Sequence, residues 1–217
     1  MRPRPPVSIS SILAALALAA LVADPIAAQY DRQGDGRLQL PWENNRFRLT
    51  HVSVEPGATL SAGGNQVLVH LTADADGRMP AEAVWQPAGA GAVQNRGRVR
   101  LQAIAIELKE ARGLATGTPG EALDAQYGVG VSPLIDNERV LVVKQRYDPI
   151  AYGGPLHFHG EDVLVVYLRG GYTWPLADLW GPSRVRRGDV NVIPANTQHR
   201  LGNAGGDPLE LLVIVPK

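Results

Sequence analysis

The sequence predicts an all-β protein made of two β-domains in tandem, each a sandwich or barrel, and three observations carry that reading. Short apolar stretches of alternating character recur along the chain with turns between them. The composition has 24 Gly and 17 Pro but only 2 Met and 2 Phe, the balance of a strand-rich chain punctuated by turns. The second half also repeats the plan of the first. "RFRLTHVSVEPGATL" followed by "QVLVHL" matches "RVLVVKQRYDPIAYG" followed by "VLVVYL", and "QNRGRVRLQAIAIEL" tracks "LGNAGGDPLELLVIV". The lag is about 97 residues early and 108 late, which describes one duplicated domain rather than a solenoid of short repeats.

The chain opens with "MRPRPPVSISSILAALALAALVADPIAAQ", which has the zones of an export signal. Arg2 and Arg4 form a basic start, Ser8 to Val22 is apolar and uncharged, and small residues follow. That run falls short of the roughly 18 to 20 residues that span a bilayer. A cleaved signal over 1–28 is therefore expected, with a cut after Ala23 and an uncleaved anchor as the alternatives, and the mature protein is expected to be secreted or periplasmic and free of the membrane. Residues 29–45, including "YDRQGDGRLQLPWENN", are polar without a period and read as a linker or N-terminal arm.

Strand-like segments follow in order. "RFRLTHVSV", "QVLVHLTA", "AEAVWQP" and "VRLQAIAIEL" make up a first domain over 46–112, and "RVLVVKQRYD", "DVLVVYLRGG", "RVRRGDVNVIP" and "PLELLVIV" a second over 138–217. Between them, 113–137 reads as a connector in which "PGEALDAQYG" is either a short helix or a loop.

The chain has no cysteine, which removes disulfides, zinc–thiolate sites, iron–sulfur clusters and thiol nucleophiles together. Any metal must sit on His, Asp or Glu. The formal net charge is +0, and loss of 1–28, which carries Arg2, Arg4 and Asp24, takes it to −1. A neutral chain has no electrostatic reason to hold nucleic acid or an anionic membrane.

Among five histidines, His157 and His159 stand two apart in "GGPLHFHGED". On a strand, residues i and i+2 share a face, so both imidazoles can converge on one point while Phe158 faces away. Such a pair suits a first-row divalent metal but needs a third ligand, and His199 is the candidate. His51 and His70 have no histidine at i±2 and read as ordinary strand residues. "TWPLADLWG" offers Trp174 and Trp180 as packing residues or as the lining of a ligand mouth. No GxSxG elbow, nucleotide-binding glycine loop or zinc-protease helix is present.

The stretch "RGDVNVIPANTQHRLGN" places Gly188, Pro194, Asn196, His199 and Asn203 at spacings that resemble the second motif of the cupin superfamily, G(X)5PXG(X)2H(X)3N. Asn196 stands where glycine is usual, and asparagine is the next most tolerant residue for a left-handed turn. "AYGGPLHFHGEDVLVVYLRGG" resembles the first motif, G(X)5HXH(X)3,4E(X)6G, through His157, His159 and Gly170. The glycine six before His157 is Ala151, with Gly153 and Gly154 displaced. The motif's glutamate falls at Val163 or Leu164, and Glu161 and Asp162 come too early.

The resemblance implies two cupin-type antiparallel barrels, jelly-roll-like, with one divalent metal (Fe, Mn, Zn or Ni) on His157, His159 and His199. It leaves open whether a bulge brings in Glu161 or Asp162, and three histidines alone are the favoured set. The first half carries "GATLSAGGN" in place of the histidine pair and Gly91 in place of His199, so its cupin is expected to be degenerate and metal-free. Cupins with such sites act on small organic molecules as dioxygenases, isomerases or decarboxylases, and the alternative is a non-catalytic binding protein. Glu161, Asp162, Tyr167 and Asp178 are the nearby acid–base candidates, and an exposed sheet edge would favour a homodimer.

Overall fold

The computed structural model of the chain describes residues 38–61, 63–72, 82–109, 129–153, 156–174 and 181–217. The signal expected over 1–28, the segment "PGEALDAQYG", and Gly154, Asp178 and Trp180 lie outside the described residues. Among those described, all regular structure is strand.

The first half contains β1 (Trp42–Glu43), β2 (Phe47–Val54), β3 (Thr59–Leu60), β4 (Gln66–His70), β5 (Ala83–Gln86), β6 (Val93–Gln94) and β7 (Leu101–Leu108). The second contains β8 (Val129–Asp136), β9 (Val140–Tyr147), β10 (Val163–Tyr167), β11 (Gly171–Trp174), β12 (Ser183–Val185), β13 (Val190–Ile193), β14 (Gly202–Asn203) and β15 (Leu209–Pro216). All ladders are antiparallel. The large sheet of the first half runs β1-β2-β7-β4-β5, and that of the second, read from its β8 edge, runs β8-β9-β15-β10-β13. Strand for strand the order is the same, which is the duplication seen in the sequence.

The apolar runs are continuous because the large sheets are covered on both faces. On β10, Leu164 and Val166 join Phe47, Leu49, Val67, Ile104 and Ile106 of the first half in one apolar cluster between the halves. Val163, Val165 and Tyr167 face the other way, into the second half's own interior with Tyr147, Leu209 and Leu211. Among the described residues, the first half's own interior holds Leu68, Ala103 and Ala105, with Val52 and Leu60 against them. Ala103 and Ala105 stand where the repeat has Leu211 and Val213.

Two stretches carry more structure than their polarity implies. Within the segment read as an arm, the Leu38 N–H donates to the Val190 carbonyl at 2.8 Å, Trp42 is buried, and β1 pairs with β2. Two buried apolar side chains in eight residues leave no period to read. β8 lies inside the stretch read as a connector. It is an edge strand exposed along most of its length, bulged between Pro133 and Ile135, and an edge with a proline shows no apolar alternation.

The duplication extends to side-chain hydrogen bonds. Asn95 Nδ2 donates to the carbonyls of Val54 and Val99, and its Oδ1 accepts from Gly97 N–H. Asn203 Nδ2 donates to the carbonyls of Asp148 and Asp207, and its Oδ1 accepts from Gly205 N–H.

Candidate metal centre

The ladder that pairs Ile193 with Val163 continues beyond the strands into the site. The Asn196 N–H donates to the His159 carbonyl at 2.7 Å. Further on, His157 and His199 form an antiparallel bridge, each N–H donating to the other's carbonyl at 3.0 and 2.8 Å. Asn196 has φ 59° and Gly188 φ 84°, so both positions occupy the left-handed region, where asparagine and glycine are the tolerated residues. The backbone thus presents His157 and His199 side by side on one face. Phe158, between the paired histidines, points outward and is 67% exposed.

The three imidazoles meet. Ring centroids lie 5.1 Å apart for His157–His159, 4.5 Å for His157–His199 and 5.1 Å for His159–His199. One nitrogen from each ring falls within 4.8 Å of the others, a spread that one ion can bridge with small ring rotations. His199 is 2% exposed, and its Nδ1 lies 2.8 Å from the Thr197 carbonyl. A carbonyl can only accept, so Nδ1 carries the proton and Nε2 keeps its lone pair.

Burial, with the neighbouring His199 and His157 rings, pulls the His159 imidazole down to about 4. Burial likewise takes His199 to about 4, against the opposing pull of the Thr197 carbonyl and with His157 adding to the drop. Both rings are neutral at pH 7, the form in which imidazole binds a metal.

No carboxylate joins them among the described residues. Glu161 Oε2 lies 3.1 Å from Arg46 Nε. Asp162 Oδ2 accepts from Asn44 Nδ2 at 2.8 Å, and its Oδ1 accepts from Ala195 N–H at 2.9 Å. Val163, four residues after His159 where the family's glutamate stands, is fully buried in the second half's interior. The residues present therefore fit an ion held by three imidazole nitrogens. Tyr167 is fully buried in the same interior, its hydroxyl 3.5 Å from Thr173 Oγ1. His51 and His70 join no cluster of possible ligands among the described residues.

Two arrangements were not foreseen. Asn44 and Arg46 reach the two acids beside the site from more than a hundred residues upstream; the one local signal is Asn44 itself, placed three residues before Phe47, whose N–H it caps. Trp174 stacks on Tyr152 at 4.6 Å and 12°, and the Arg200 guanidinium lies 4.6 Å over the Tyr152 ring. Gly202 makes room for that stack, since a Cβ there would lie 3.0 Å from Tyr152 and 3.2 Å from Trp174.

The cupin domain family matches residues 143–215. No curated protein matches the chain. Among solved structures, AerE from Microcystis aeruginosa superposes with a TM-score of 0.60 at 10% identity, over 83% of this chain and 96% of that one. Salicylate 1,2-dioxygenase from Pseudoaminobacter salicylatoxidans, as adducts with gentisate, superposes with a TM-score of 0.58 at 10% identity, over 94% of this chain and 78% of that one. A cupin domain from Bordetella pertussis Tohama I is 27% identical over 42% of this chain and 95% of its own, with a TM-score of 0.38. The cupin domain match covers the segment that holds all three histidines, and the long superpositions show the same fold over both halves.

Proposed function

We propose that the chain is an exported bicupin that holds one divalent metal on His157, His159 and His199 and uses it to bind a small oxygen-bearing organic molecule. The observation that carries this reading is the convergence of three imidazoles, two of them held neutral, with Glu161 and Asp162 engaged by other partners. Three protein nitrogens leave positions open for a chelating ligand, and such an ion supplies Lewis-acid or dioxygen chemistry when bound. The chain's own contribution is to orient His199 through the Thr197 carbonyl. Oxidoreductase chemistry of the dioxygenase type is the favoured activity, with isomerase or decarboxylase chemistry on the same scaffold.

Non-catalytic binding is the second reading. It is favoured by the engagement of Glu161 with Arg46 and of Asp162 with Asn44 and Ala195, which leaves neither as a ready general base.

Elemental analysis of untagged protein tests the site, with His157→Ala and His199→Ala as controls. Stoichiometric metal in the wild type and loss in both variants is expected; a metal-free wild type sinks the proposal. Dioxygen uptake by the iron(II)-loaded protein with hydroxybenzoates, salicylate and gentisate first, separates turnover from binding. N-terminal sequencing of protein recovered from outside the cytoplasm tests export.

A further inference from the structure

We infer that Asp162, tethered by Asn44, is a positioning residue for the metal site: one carboxylate anchors the turn that aims His199, and the first half of the chain holds that carboxylate in place. The inference rests on the three-histidine reading above. Its basis is a continuous set of contacts. Asp162 Oδ1 accepts from the Ala195 N–H at 2.9 Å. The next residue, Asn196, donates its N–H to the His159 carbonyl at 2.7 Å and turns the chain at φ 59°. Thr197 then closes the turn onto the Pro194 carbonyl at 3.2 Å and offers its own carbonyl to His199 Nδ1 at 2.8 Å. Asp162 itself lies three residues after His159, so it links both ligand-bearing segments.

The other carboxylate oxygen faces the first half. Asp162 Oδ2 accepts from Asn44 Nδ2 at 2.8 Å. Asn44 is 8% exposed, and its Oδ1 accepts from the N–H groups of Arg46 and Phe47, both at 2.8 Å. With Oδ1 so occupied, only the amide nitrogen can face Asp162, which fixes the orientation of the Asn44 amide. Beside it, Arg46 Nε lies 3.1 Å from Glu161 Oε2, with side chains only 10% and 20% exposed. The segment Asn44–Phe47 thus grips both acids of "GED", which accounts for their turning away from the histidines. Partners that orient metal ligands are worth about 10- to 100-fold in affinity.

The donor–acceptor pattern specifies a test. In full-length mature protein, Asp162→Asn keeps an acceptor for Ala195 but sets an amide donor against the Asn44 donor. Asn44→Asp sets two carboxylates together. The double variant Asn44→Asp/Asp162→Asn restores all four hydrogen bonds, with donor and acceptor exchanged in the one between residues 44 and 162. Cobalt(II) affinity by chelator competition, the cobalt(II) d–d absorption spectrum and the melting temperature of the metal-free protein would be read for each. Asp162→Asn, Asn44→Asp and Asn44→Ala are expected to weaken cobalt(II) about 10-fold or more and to alter the spectrum, and the double variant to recover both. Single variants with wild-type affinity and spectrum overturn the inference, as does a double variant that regains the melting temperature but not the metal site. A wild type that binds no cobalt(II), or a His199→Ala variant that binds equally well, instead overturns the three-histidine reading itself.

Discussion

Asn95 and Asn203 lock their turns with the same set of hydrogen bonds, each donating twice from Nδ2 to carbonyls and accepting once at Oδ1 from the N–H two residues on. The first half therefore has the same asparagine-locked turn as the second without a histidine in it: Gly91, where His199 would align, is exposed. Folding and metal binding are separable demands on the same stretch of chain. Fold maintenance explains the asparagine, and ligand supply is the role proposed for the histidine.

Asn203→Ala is expected to cost about 2 to 3 kcal/mol, because it strands two carbonyls and an N–H around a fully buried side chain. Asn95→Ala is expected to cost less, since Asn95 is 8% exposed, and to leave metal content unchanged. Urea unfolding of both variants checks the order.

Lowered histidines make the metal-free protein acid-sensitive in a defined window. His159 and His199 protonate near pH 4 when folded and near 6.5 when unfolded. Between these values the unfolded state binds more protons, so stability rises with pH. Their full effect is present above about 6.5 and is lost as the pH falls through about 4. Urea midpoints of the metal-free protein are expected to drop between pH 7 and pH 5, and His159→Leu to flatten that slope. In the metal-loaded protein, proton competition at these two rings is expected only toward pH 4.

Ile150 has φ 58° and is 61% exposed, a left-handed backbone that disfavours a β-branched residue. Ile150→Gly is expected to stabilise by about 1 kcal/mol, raising Tm by roughly 2 to 4 °C. A scanning-calorimetry trace without that rise would mean that Ile150 makes contacts worth more than its strain.

His199 was legible because it sits at a fixed spacing to the turn residues Gly188, Asn196 and Asn203, whose positive φ or side-chain hydrogen bonds the structure shows, and His157 and His159 because they stand two apart. The longer strands were legible because apolar runs mark sheets covered on both faces. Strands β3, β6 and β14 are two residues each, too short to carry a period. The contacts of Asn44 with Asp162 and of Arg46 with Glu161 depend on how the halves fold together, and a polar side chain does not announce its distant partner. Sequence spacing alone left Glu161 as a conceivable fourth ligand; the nearby cation Arg46 supplies the alternative partner that spacing could not reveal.

Val163 offers the sharpest test of the site's geometry, because it stands in a fully buried, inward-facing position four residues after His159. Val163→Glu places the family's carboxylate where this chain has an aliphatic side chain. Without metal, a carboxyl group in that interior has to stay protonated or give up its hydration, so the metal-free variant is expected to be less stable by several kcal/mol and to weaken further as the pH rises. With metal, the ion's charge favours the ionised form and offsets that cost. Cobalt(II) affinity is then expected to rise about 10-fold, equivalent to about 1.4 kcal/mol, and the gain in Tm on adding metal to exceed that of the wild type. Isothermal titration and thermal melts with and without cobalt(II) measure both. A destabilised variant with no gain in affinity would show that residue 163 does not reach the ion.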